Sequence, residues 1–143
     1  MPKIIIYLLL VIVIFIGIIL VYININKTKT ITINNKYYKV EVVTDLLSKT
    51  KGLSNREKLT NIDGMLFVYS APEIQNFWMK DMRFDLDLIW INNNKIIGLT
   101  KNISFKDQFR QYSSTLPCDW VLEVPSGKVD QEHWQIGDTI TFK

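Results

Sequence analysis

Two patterns of apolar and polar positions divide this chain. Residues 4–23 form one apolar run without a single charge, softened only by Tyr7, Gly17 and Tyr22. From residue 30 onward, short apolar blocks alternate with turn residues, the pattern of β-strands. The blocks at 30–33 and 37–43 alternate with a period of two. They flank Asn34-Asn35, which suits a tight turn because Asn tolerates the left-handed region. Residues 45–51, with Thr44 as N-cap and Gly52 as a stop, predict a short helix. The densest stretch, residues 64–91, predicts strands at 65–69, 77–79 and 86–91, with Ala71-Pro72 in the first connection. Asn92-Asn93-Asn94 then turns the chain back into a strand at 95–99. Residues 100–117 carry a weak pattern and read as a mobile loop. Strands at 120–124 and 139–142 complete the sheet, with Ser126 capping a second short helix that ends near Gly137. There is no internal repeat.

With 143 residues, the chain has room for one modest domain and an anchor. The expected layout is a tail at 1–3, a transmembrane segment at 4–23, a linker at 24–30 and a β-domain at 31–143. About 20 apolar residues in a helix span a bilayer core. Cleaved signals have apolar regions of only about 7–15 residues and end at small residues of A-x-A type. Gly17 is the only small residue in the run and no such pattern follows, so the reading is an uncleaved signal anchor. Charge agrees with this. The formal net charge is +3, and Lys3, Lys27 and Lys29 lie at the ends of the apolar run. Removing those three from the 17 Lys and Arg leaves 14, which balances the 14 Asp and Glu. A neutral domain lacks the clustered cations that neutralise nucleic-acid phosphates, so nucleic acid is not an expected partner. Cys118 is the only cysteine; no internal disulfide can form, and the expectation is a small semi-buried side chain.

GMLF at 64–67, NFWMK at 76–80, Leu86-Asp87-Leu88, YSSTLP at 112–117, WVLEVPSG at 120–127 and IGDTI at 136–140 occur in an order and spacing that resemble the domain of unknown function 192 family. The resemblance covers about residue 51 to the C-terminus. It implies an all-β fold, a β-sandwich of jelly-roll type with one or two short helices, commonly behind a signal or anchor segment. Nothing in it names a reaction. The chain departs from the family pattern at Asp85, where Pro is common, and at Ser54-Asn55, where apolar residues follow Gly52-Leu53. Lys27, Lys29 and Lys36 oppose Lys3 under the positive-inside rule. The very short tail and the family's habit favour a domain outside the cytoplasm, held at the cytoplasmic membrane.

Candidate chemistry is sparse. Alternation along the strand at 86–91 puts Asp85, Asp87, Ile89 and Ile91 on one face. Asp87 lies between Leu86 and Leu88, so it calls for a cation or amide partner. Glu123, between Leu122 and Val124, is the parallel case, since an enclosed carboxyl has a raised pKa or a cationic neighbour. Lys80 and Arg56 are available, and Asp87–Lys80 and Glu123–Arg56 salt bridges would satisfy all four groups. Trp78, Lys80 and Met82 are expected opposite Phe77, Met79 and Asp81. An exposed Trp or Tyr would offer a sugar ring a stacking platform; Tyr112 and Trp134 are the aromatics with the weakest burial signal. His133 is the only histidine, which excludes a multi-imidazole metal site. Asp81, Asp85 and Asp87 lack the Gly and terminal Glu of an EF-hand loop. Ser126, His133 and Asp130 have no accompanying oxyanion-hole or nucleophile-elbow signature. The expectation is a non-catalytic module binding an envelope ligand or partner protein, without metal or cofactor. Its ligand-binding residues would be Lys80, Asp87, Glu123, Trp78, Arg56 and Tyr112. The rivals are a glycan hydrolase using Asp87 and Glu123 and an accessory subunit whose anchor helix binds a membrane partner.

Overall fold

The computed structural model describes residues 3–143, with side chains described except at 20–26. Residues 1–2 of the expected tail, and the side chains of 20–23 in the expected membrane segment, lie outside the described residues. Helix α1 (Lys3–Lys27) runs directly into strand β1 (Thr28–Ile33), so the expected linker is not a separate element. Its described apolar side chains, from Ile4 to Ile19, all stand exposed. Among the described residues no helix is long and apolar enough to cross a membrane.

The remaining elements are β2 (Lys36–Val43), α2 (Leu46–Lys51), β3 (Gly64–Glu73), β4 (Asn76–Trp78), β5 (Leu86–Asn92), β6 (Lys95–Ile103), β7 (Gln111–Ser113), β8 (Cys118–Pro125), α3 (Lys128–Glu132) and β9 (Ile140–Phe142). Asn34-Asn35 and Asn93-Asn94 make the two tight hairpin turns, all four at positive φ, as primed turns require. Helix α2 is capped by Asp45 rather than Thr44: the Asp45 side chain accepts the Ser48 N–H, and the Gly52 N–H closes the other end on Ser48 O. Ser126 does not cap α3. The N-cap position is Gly127, and Ser126 Oγ donates instead to Asn102 Oδ1 at 2.9 Å. Part of the segment read as a loop is regular structure, since β6 continues to Ile103 and β7 pairs with β4.

Seven strands form one sheet in the order β6-β5-β8-β3-β2-β1-β9, with a separate β4–β7 ribbon. Only β2 and β3 are parallel; α2 and the loop behind it make that crossover. The sheet curls until its edges meet. Lys95 bridges Thr139, and Ile96 N–H donates to Asp138 O, while Gly137 and Ile140 N–H return to Ile96 and Asn94 carbonyls. The all-β expectation holds, but the architecture is one curled sheet rather than two stacked ones. Where the two edges meet, their backbone groups are paired rather than left free to template aggregation.

One core fills the curl, with residues from all seven strands, including Ile31, Val40, Leu66, Ile89, Ile96, Leu122 and Ile140. A second covers the outer face of β3, β5 and β8 and includes Met65, Phe67, Leu88, Trp90, Val121, Met79 and Met82. Met79 and Met82 are buried together, so they do not take the opposite faces expected from alternation; β4 stops at Trp78. Gly64 marks a close approach of β3 to β8. A Cβ there would lie 2.4 Å from the Glu123 carbonyl oxygen and 2.9 Å from Val124. Gly64→Ala is therefore expected to lose about 2–3 kcal/mol by overpacking, read as a lower urea midpoint at unchanged slope.

Candidate functional site

Strands β5 and β8 lie side by side, with Asp87 opposite Val124 and Leu88 opposite Glu123. Directly opposed residues share a face and neighbours alternate, so the Asp87 and Glu123 carboxyls leave the sheet on opposite sides. The structure does not bring this pair together, and their shared acid/base chemistry has no geometric basis here.

Asp87 is fully buried and serves the inner core. At the end of β6, Leu86 faces Ile103 and Leu88 faces Thr100, so Lys101 and Asn102 together oppose Asp87. This is a β-bulge. Asn102 takes it up at φ 57 and points its N–H at Asp87 Oδ1, 2.8 Å away. Asp87 Oδ2 accepts the Val129 N–H of α3 at 3.1 Å. Asp87 thus binds two backbone amides, not Lys80, and it clamps α3 and β6 onto β5. Asp85 does related work on the loop, accepting the Phe105 N–H at 2.8 Å.

Glu123 faces outward under the crossover. It is 5% exposed, and its Oε2 is buried without a hydrogen-bond partner among the described residues. Burial pushes its pKa up to about 8, with the Arg56 charge pulling the other way. The expected Glu123–Arg56 salt bridge does not form; Arg56 pairs with Glu41 at 2.9 Å.

Above Glu123 opens a cleft of about 270 Å³ between α2 and the β4–β7 ribbon. Phe67, Phe77 and Met82 line it with Tyr69, and Trp78 and Asn76 form the ribbon side. Phe67 and Phe77 meet edge to face at 4.9 Å between ring centroids. Lys49 and Lys51 stand on the α2 side. Lys49 Nζ sits 4.0 Å above the Tyr69 ring, and partial burial lowers its pKa against the pull of Asp45. Burial, with Cys118 and Glu123 nearby, raises the Tyr69 hydroxyl to about 12. Gly52 leaves the approach to Glu123 open: a Cβ there would meet Phe67 at 3.5 Å and Glu123 Oε2 at 3.9 Å, and φ of +50° favours glycine in any case. At neutral pH the floor of the cleft is a protonated carboxyl, able to donate or accept a hydrogen bond, among aromatic walls.

Of the sequence-derived site residues, Trp78 and Glu123 line this cleft. Trp78 is 49% exposed, with Lys80 Nζ 5.4 Å over its ring. Tyr112 lies opposite Phe77 on β7, donates to Asp107 at 3.1 Å and stacks against Arg110. Asp87 lies on the opposite face of the sheet from the cleft. Residues the sequence reading left out are Phe67, Phe77, Gly52 and the α2 lysines. The signal available for them was the Gly52 stop placed shortly before the aromatic blocks.

The other candidate groups sit elsewhere in the fold. Asp130 pairs with Lys101 at 2.6 Å, Ser126 with Asn102, and His133 is an exposed C-cap at φ 56, so no Ser–His–Asp set assembles. Trp134 is buried against Tyr38, edge to face at 5.1 Å. Cys118 is buried and burial raises its thiol pKa, so it is a packed side chain rather than a poised thiolate. No group of metal-holding side chains occurs among the described residues.

Fold and site together define a small all-β domain with a closed, curled sheet and a lateral aromatic cleft over a buried carboxyl. The family "Uncharacterized ACR", domain of unknown function 192, matches residues 28–142, and the chain belongs to it. The match reaches further toward the N-terminus than the motifs from residue 51 onward and takes in β1 and β2. A Sinorhizobium meliloti protein provisionally described as a transcription regulator is similar in structure. Its TM-score is 0.74 at 22% identity, over 80% of this chain and 93% of that one. A protein of unknown function from Novosphingobium aromaticivorans gives 0.70 at 23% identity, over 80% and 83%. At these identities the likeness is one of fold. No curated protein matches the chain.

Proposed function

We propose that this protein is a non-catalytic binding module held at the outer face of the cytoplasmic membrane by residues 4–23, taking a small envelope ligand in the Glu123 cleft. The observation that carries the reading is the buried, unpartnered Glu123 oxygen beneath aromatic walls. A carboxyl in that setting costs the fold stability, since a buried polar atom without a partner is unfavourable by about 1–3 kcal/mol. A ligand hydroxyl or amide entering the cleft would supply the partner. Trp78, half exposed at the rim, offers a ring face for stacking, and Lys49 and Lys51 favour a ligand with an acidic group. A sugar ring bearing a carboxylate, as in envelope glycans, meets these three demands together.

The anchor reading is supported by α1 itself. Over residues 4–19 its side chains are apolar and exposed, and an apolar helical surface belongs in a core or a membrane; these side chains join neither core of this chain. The basic residues at both ends suit headgroup regions.

The test is a thermal-shift screen of the full chain in lipid nanodiscs against acidic and neutral glycan fragments. A ligand that binds only the folded state at a hundred times its Kd adds about 2.7 kcal/mol, a clear rise in Tm. The rise should vanish in Trp78→Ala and in Glu123→Leu, which removes the hydrogen-bonding group from the floor of the cleft. A ligand whose shift survives both substitutions binds elsewhere and overturns the site. A screen without any hit removes the glycan reading and leaves a protein partner to be sought by cross-linking.

A further inference from the structure

Helix α2 buries none of its residues. Leu46 and Leu47 stand 78% and 83% exposed on it, although short helices normally persist by burying an apolar face. Its place in the fold gives those leucines a surface to meet. Thr28, the residue after α1, pairs with Glu41 near the end of β2. The chain therefore leaves β2 beside the C-terminal end of α1 and enters α2 there. Asp45, whose carboxyl is held low chiefly by the Ser48 N–H, also feels the charge of Lys27 at that helix end. Lys27 at that helix end, Lys29 on β1 and Lys51 at the end of α2 are all exposed. Over α2 and its caps, residues 45–52, Asp45 is the one acidic residue against Lys49 and Lys51.

We propose that α2 is a second membrane contact, seated in the headgroup layer of the bilayer that α1 enters. Leu46 and Leu47 reach below the phosphates, and Lys27, Lys29 and Lys51 face anionic headgroups. Exposed leucines on a short helix that also carries lysines are the chemistry of an interfacial helix, and cations close to an anionic leaflet add to its binding. This rests on the anchor reading of residues 4–23. It carries a consequence for the cleft: Leu46, Lys49 and Lys51 also line it, so its mouth would open at the membrane surface and admit ligands carried there.

The experiment uses the full chain reconstituted in phosphatidylcholine vesicles, with and without phosphatidylglycerol. An environment-sensitive fluorophore is attached through Leu47→Cys; Cys118 is buried and stays unlabelled. Tyr37→Cys, near the other end of β2 and exposed, is the control. The expected result is blue-shifted emission at position 47 and quenching by nitroxide lipids several-fold stronger than at position 37, greater in the anionic vesicles. A chain that floats with the vesicles while the two probes behave alike overturns the α2 contact and leaves the anchor standing. A chain that does not float overturns both. An equal response in the two vesicle types overturns the role given to the lysines.

Discussion

Glu123→Gln is expected to make the protein more stable than the wild type at pH 8 and nearly equal to it at pH 4. In the unfolded chain the carboxyl titrates near its ordinary value of 4.5; in the fold it holds its proton to about 8. Between these values the native state binds more protons than the unfolded state, so wild-type stability falls as pH rises through the window. Each unit corresponds to about 1.4 kcal/mol, and across the window the loss approaches roughly 5 kcal/mol. Below about 4.5 the carboxyl is protonated in both states and the contribution is flat. Glutamine keeps the size and polarity without the charge, so its curve should lack this decline. Urea denaturation of both proteins from pH 4 to 9 measures the difference. Parallel curves through pH 4.5–8 would sink the assignment of a neutral Glu123.

Asp87→Leu carries the second large effect, an expected loss of about 4 kcal/mol. Two amides, Asn102 N–H and Val129 N–H, donate to this carboxyl. Each buried donor left without a partner costs about 1–3 kcal/mol, and whole domains are stable by only about 5–15 kcal/mol. Asp87→Asn keeps one carbonyl acceptor and turns an N–H₂ toward the other amide, so about half the loss is expected. Amide exchange should accelerate first at Asn102 and Val129, since the bulge and α3 lose their clamp. Ligand shifts in the cleft should persist in whatever fraction of Asp87→Asn stays folded, because Asp87 lies on the other face of the sheet. Wild-type stability in both variants would remove the clamp from the account of the fold.

Much of the organisation follows from local chemistry and was legible along the chain. The double-Asn turns require left-handed backbone, and Asn supplies it at low cost, so both hairpins fell where the pattern put them. Strands β5 and β8 were visible as apolar blocks, and the carboxyls inside them announced that each needed special surroundings. Ser126 and Thr44 misled because residue type alone does not say which oxygen the backbone bends toward; Asp45 wins the cap by accepting the Ser48 N–H. Residues 100–117 hid two pieces of structure because β6 is broken by the Asn102 bulge and β7 is only three residues long.

Alternation within a strand determined that Asp87 and Glu123 each lie among apolar neighbours. It could not relate one strand to the next. Register between β5 and β8 decided that the two carboxyls face opposite sides, because a one-residue shift would exchange every side chain across the sheet. Curling of the sheet turned an expected sandwich into a closed wall, a matter of how its edges meet around Lys95 and Thr139. The cleft is also a product of distance in sequence: α2, the β4–β7 ribbon and β8 supply its sides and floor from far-apart positions. Periodicity reports burial along one element, whereas a site is made where elements meet, and only the tertiary structure holds that information.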